Sequence, residues 1–139
     1  MKNILKISVM YIVFGLVIGL TTHEIAYWTN FSGETVLSFV HAHALIFGGG
    51  VFLMVPVLMK VFQIEQQKGF KGFLWAYNLG LLMTLGFMSV RGFSELLEFP
   101  LGNMMNHMVG GLAGIGHVIL TVGVFLFFKA LLRAMKECA

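Results

Sequence analysis

Two histidines one residue apart, His41 and His43, sit in the stretch FVHAHALIFGGGV, just before three consecutive glycines, Gly48 to Gly50. Imidazole is the commonest metal-ligating side chain and titrates near neutral pH. His117 closes a second glycine-rich run, VGGLAGIGHV, behind Gly110, Gly111, Gly114 and Gly116. A third group, NMMNHMV, gathers Met104, Met105, His107 and Met108, and thioethers with imidazole suit Cu(I). His23 beside Glu24, and Arg91 followed by Glu95 and Glu98, complete the set.

The segments that carry these residues are apolar enough to lie in lipid. Of 139 residues, 58% are hydrophobic and 11% charged, and the mean hydropathy is +0.90. A soluble domain carries about 25% charged residues. Four apolar stretches, Ile4–Thr22, Val36–Met59, Phe73–Val90 and Met108–Phe128, each approach the ~20 residues that cross a bilayer as a helix. The expectation is an all-α membrane protein, one four-helix transmembrane domain over residues 1–139. TNFSGE, QQKGFKG and EFPLGN separate the spans; Asn103 is the expected N-cap of the last helix, and Pro56 falls inside the second. The N-terminal Lys2, Lys6 and apolar run resemble a signal peptide, but no small-x-small cleavage site follows, which favours a first span. The single Cys138 excludes an intrachain disulfide. Nothing outside the spans is basic and aromatic enough to bind nucleic acid.

Basic residues orient the chain. Lys2, Lys6, Lys60, Lys68, Lys71, Lys129, Arg133 and Lys136 fall on one side of a four-span arrangement and Arg91 alone on the other. Both termini are therefore expected in the cytoplasm, with the protein in a bacterial inner membrane. The outer side then receives His23, Glu24, Glu34, Arg91, Glu95, Glu98 and His107, with His41 and His43 entering from it and His117 near mid-span. Tyr27, Trp28, Trp75 and Tyr77 read as interfacial anchors, and Tyr11 as a buried, hydrogen-bonded residue.

An ionisable group at membrane depth marks a functional site by default. Positions i and i+2 of a helix face about 200° apart, so His41 and His43 serve two different neighbours rather than one chelate. Zinc and copper sites gather three or four protein ligands, whereas six-coordinate haem needs one imidazole on each face. Oppositely directed histidines fit haem better. Gly48 and Gly50 follow His41 and His43 by seven residues each, which on an α-helix leaves a flat macrocycle room on the same faces. Small residues also simply let membrane helices pack closely.

HAHALIFGGGVF resembles the His-x-His helix of subunit I of the heme-copper oxidases and nitric oxide reductases, through His41, His43, Gly49, Val51 and Phe52. That core has twelve helices in three pseudo-symmetric groups of four. The resemblance implies that this chain is one third of such a core and assembles as a homotrimer. It implies haem b held at each subunit interface by His43 of one protomer and His41 of the next, with Arg91 pairing the propionates. The other arrangement open from sequence is a haem within each subunit, between His43 and His117 or His107. The layout is also similar to a family of small uncharacterised four-span bacterial proteins. One chain offers no separate three-histidine copper site and no tyrosine placed for cross-linking, so oxidase-type oxygen reduction is not expected. Electron transfer, with a quinol or another redox protein as partner, or diatomic gas sensing is the expected work.

Two other readings stand beside it. Copper or another soft metal could be handled by Met104, Met105, His107 and Met108. A haem-free transporter or channel subunit could use His117 as a proton relay, although the spans carry no acidic residue and the chain has no Asp.

Overall fold

The computed structural model describes residues 1–138. It is all-helical, with α1 over Lys2–Thr29, α2 over Leu37–Phe62, α3 over Phe70–Leu96 and α4 over Asn103–Cys138. All four are long and apolar enough to cross a membrane, which makes this a multi-pass membrane protein. Each helix outruns its apolar stretch, because hydropathy marks lipid contact and not the end of hydrogen bonding. Thus α1 continues past Thr22 through His23 and Glu24 until Asn30 turns left-handed at φ 52°. The last helix begins at Asn103 itself, and the Gly102 carbonyl accepts from the Asn106 N–H at 3.0 Å. Gly102, not Asn103, holds the cap position.

Two hairpins make the bundle, and glycine sets the distance within each. In the α3–α4 hairpin, a methyl added at Gly123 would lie 2.6 Å from the Tyr77 nitrogen, and one at Gly116 2.8 Å from the Thr84 nitrogen. In the α1–α2 hairpin, Gly15 admits Leu45, Gly48 admits Tyr11 and Gly49 admits Ile12. Close backbone approach through small residues is the usual currency of helix association in lipid. The hairpins join through a buried aromatic group. Tyr11 stacks on Phe52 at 5.8 Å, Phe52 meets Tyr77 edge-on at 5.6 Å, and Tyr77 lies 5.5 Å from Phe73. Tyr77 is therefore a core residue, 2% exposed, and not an interfacial anchor as its flanking position suggested. Tyr27, Trp28 and Trp75 are exposed as anchors should be.

The second helix changes pitch in its middle. It is α-helical over Leu37–His43, π-helical over Ala44–Gly50 and α-helical again over Val51–Phe62. A π stretch displaces carbonyls from their usual donors, and two side chains supply replacements. The Tyr77 hydroxyl donates to the Phe47 carbonyl at 2.9 Å, and Ser8 Oγ to the Gly49 carbonyl at 2.7 Å. Three successive glycines weaken the α-helical preference just where this happens.

Candidate functional site

His41 and His43 diverge as their spacing requires. His41 runs over Gly19 of α1, where an added methyl would touch its ring at 3.7 Å. His43 turns toward α4 and meets His117, with ring centroids 6.2 Å apart and planes at 84°. The sequence left open which neighbour each histidine serves. Here they serve α1 and α4 of the same chain.

Each member of the His43–His117 pair is held the same way. Nδ1 of His43 lies 2.8 Å from the Phe39 carbonyl, and Nδ1 of His117 lies 2.9 Å from the Ala113 carbonyl, four residues back in each helix. A carbonyl acceptor keeps the proton on Nδ1 and leaves the Nε2 lone pair for an electrophile. Two metal–nitrogen bonds of about 2 Å set opposed imidazole centroids roughly 6 Å apart across an ion. The centroid separation of 6.2 Å matches that figure, and a carbonyl beside each Nδ1 favours the tautomer with Nε2 free.

The surroundings leave room between the rings' helices. Among the described residues, no Cα of Leu37–Gly50 comes within 8 Å of a Cα of α4; the two helices meet only over Val51–Phe62. The histidines thus meet across a wide gap between the backbones of α2 and α4, here called the slot, which closes where the two helices converge over Val51–Phe62. On α4, methyls added at Gly110, Gly111 or Gly114 would meet nothing within 4 Å. Phe47 flanks the slot, its ring 5.2 Å from that of His43. Asn106 precedes His117 by eleven residues, three turns and about 16 Å along one face. Beside Asn106 opens a cavity of about 430 Å³ lined also by Arg91, Glu95 and Glu98.

Arg91 is half exposed and donates through Nε to Glu95 Oε1 at 3.0 Å. The other Glu95 oxygen accepts from the Val36 N–H at 2.9 Å. A carboxylate from α3 therefore caps the start of α2, where the helix dipole favours negative charge. Thr35 reinforces the joint by donating to the Gly92 carbonyl at 2.8 Å. Glu95 was read from sequence as a helix-end acid; only the fold reveals it as a cap for another helix.

The remaining candidates scatter. Gly48 lies against Tyr11 and serves hairpin packing. The π stretch widens the turns after His43, so the seven-residue step to Gly50 no longer returns to the His43 face. Met104, His107 and Met108 share one exposed face of the first turns of α4, while His23 pairs with Glu24 at 3.5 Å in solvent. No group of three or more His, Cys, Asp or Glu side chains gathers among the described residues.

No curated protein and no solved structure matches the chain. A family model does match, over residues 1–134, and by that match the chain belongs to the family described as protein of unknown function, DUF2871.

Proposed function

We propose that this is a haem b-binding membrane cytochrome in which His43 and His117 of one protomer are the axial ligands. The observation that carries the reading is the pair itself: two imidazoles from different helices, 6.2 Å apart, each with Nδ1 tied to its own helix. The open slot between α2 and α4 and the small residues Gly110 and Gly114 fit a planar group. Arg91 borders a polar cavity at the outer ends of α3 and α4 and supplies the cation that a propionate needs. His43 and His117 would hold the group, which would supply one-electron chemistry of the electron-transfer kind, both imidazoles being committed as ligands. The chain's own work is to fix each imidazole through its Nδ1 contact and to balance charge near Arg91.

The membrane reading extends this. The basic residues favour cytoplasmic termini, so the slot opens to the outer face of the inner membrane. Among the described residues no Cα of α1 comes within 8 Å of a Cα of α4. A bundle left open in this way favours assembly of identical copies, with the homotrimer of the oxidase-like core as the proposed state.

The test is a dithionite-reduced minus oxidised spectrum of detergent-purified protein and three variants. His43→Ala and His117→Ala are each expected to abolish the sharp low-spin bands, while His41→Ala keeps them. Loss in His41→Ala with retention in His117→Ala would transfer the site to the subunit interface. A colourless protein expressed with ample haem would sink the reading, and a copper content abolished by Met108→Leu and His107→Ala would put the soft-metal reading in its place.

A further inference from the structure

A second site lies on the other side of the bundle, where α1 and α3 diverge around a cleft of about 370 Å³. Met10, Tyr11 and Phe14 line it from α1, and Asn78, Leu82 and Gly86 from α3. These positions recur every third or fourth residue, so the cleft follows one stripe of each helix for about two turns. It is apolar except at one point. There the Tyr11 hydroxyl donates to Asn78 Oδ1 at 2.6 Å, and among the described residues Asn78 Nδ2 has no protein partner and opens onto the cleft. Asn78 lies eight residues into α3 and five into the apolar stretch that starts at Phe73, about 8 Å along it. An amide N–H left without an acceptor at that depth is costly. Its signal was legible in the sequence, since Asn78 is the one amide side chain in the four apolar stretches.

The occupant must therefore dissolve in the bilayer, bring a carbonyl to the hydrocarbon region and fill a small space beside aromatic rings. Phospholipid ester carbonyls lie at the headgroup level, above Asn78. A neighbouring helix spends its carbonyls on its own hydrogen bonds and needs more room than this. An isoprenoid quinone meets all three requirements, with its ring against Tyr11 and Phe14 and its tail leaving sideways into lipid. We infer that the α1–α3 cleft binds the head of a membrane quinone, with Asn78 Nδ2 donating to a ring carbonyl. The site is separate from the His43–His117 pair and needs no haem.

Gly86 makes the test clean. A methyl added there meets nothing within 4 Å, so Gly86→Leu projects a side chain into the cleft from an uncrowded position and narrows it, and leucine favours a helix over glycine. Decylubiquinone would be titrated into protein held in nanodiscs of synthetic, quinone-free phosphatidylcholine, with empty nanodiscs as the partition control. Saturable binding near one quinone per chain is expected. Gly86→Leu and Asn78→Leu should weaken it by about tenfold or more, with helicity and thermal midpoint of Gly86→Leu unchanged. Tyr11→Phe, which frees Asn78 Oδ1 but keeps Nδ2, should bind within a few fold of the parent. Binding no stronger than partition into empty nanodiscs overturns the proposal, as does undiminished binding by Gly86→Leu. A change of oligomeric state in Gly86→Leu would identify the cleft as a subunit interface instead. Native mass spectrometry that finds only phospholipid released by Gly86→Leu would identify it as a lipid groove. Absence of haem from the preparation touches none of these outcomes.

Discussion

At the scale of single residues, the feature that separates His43 and His117 from the other three histidines is what their Nδ1 atoms do. Both face a carbonyl four residues back, whereas His23 faces a carboxylate in solvent. A helix can offer that carbonyl to any histidine, but these two also lie beside one another, with ring centroids 6.2 Å apart. Their planes stand at 84°, and if they hold the proposed haem, perpendicular imidazoles would give a strongly anisotropic low-spin ferric signal. Electron paramagnetic resonance of the oxidised protein is expected to show that signal rather than the more rhombic pattern of parallel rings. A rhombic spectrum would mean that a different pair holds the iron. Glu95 is the other residue whose role exceeds its position: one oxygen holds Arg91 and the other caps α2. Glu95→Ala should cost about 1 kcal/mol through the lost cap, measured as a lowered unfolding midpoint.

Among the elements, glycine does two opposite jobs in α4. Gly116 and Gly123 bring α4 against α3, and any side chain there must push backbone away. Gly110 and Gly114 face open space along the slot. Gly123→Leu is expected to destabilise the protein by about 1–3 kcal/mol, the usual cost of overpacking, and to be read as a lowered melting temperature. Gly114→Leu should leave melting of the haem-free protein unchanged or raised, since leucine is the better helix former, yet lose the low-spin spectrum. If both variants melt alike, the division of labour between the two glycine sets is wrong. The π stretch of α2 belongs at this scale too. It lies between His43 and the buried Phe52 and is held by hydroxyls from α1 and α3, so the orientation of the histidine helix depends on both hairpins.

For the whole molecule, the arrangement of charge and chemistry is lopsided in a way that a membrane rewards. Eight of the nine lysines and arginines lie at one end of the bundle, while Arg91, the histidine slot and four of the six glutamates occupy the other. Reporter fusions check this directly. Alkaline phosphatase joined after either terminus is expected to be inactive, and a fusion in the loop before α4 active. The opposite pattern would place the slot at the cytoplasmic face and remove any periplasmic partner. The two proposed sites also lie on different pairs of helices, α2 with α4 and α1 with α3, joined by the aromatic run Tyr11, Phe52 and Tyr77.

Hydropathy alone determined the four helices, their order and the bias of basic residues, because lipid leaves a spanning chain no other way to satisfy its backbone. The divergence of His41 and His43 was likewise legible, being fixed by helical geometry within one turn. The partner of His43 was not. It depends on how two hairpins pack, which is set by the fit of Tyr11 against Gly48 and by close backbone approach at Gly80, Gly116 and Gly123, contacts between residues far apart in sequence. The same holds for Tyr77, whose place beside an apolar stretch resembles an anchor until the aromatic core encloses it. Seven-residue spacing failed after His43 because a π turn intervened, and that turn is stabilised by Ser8 and Tyr77 from distant parts of the chain. Sequence decides what each helix carries; packing across long separations decides which of those groups meet.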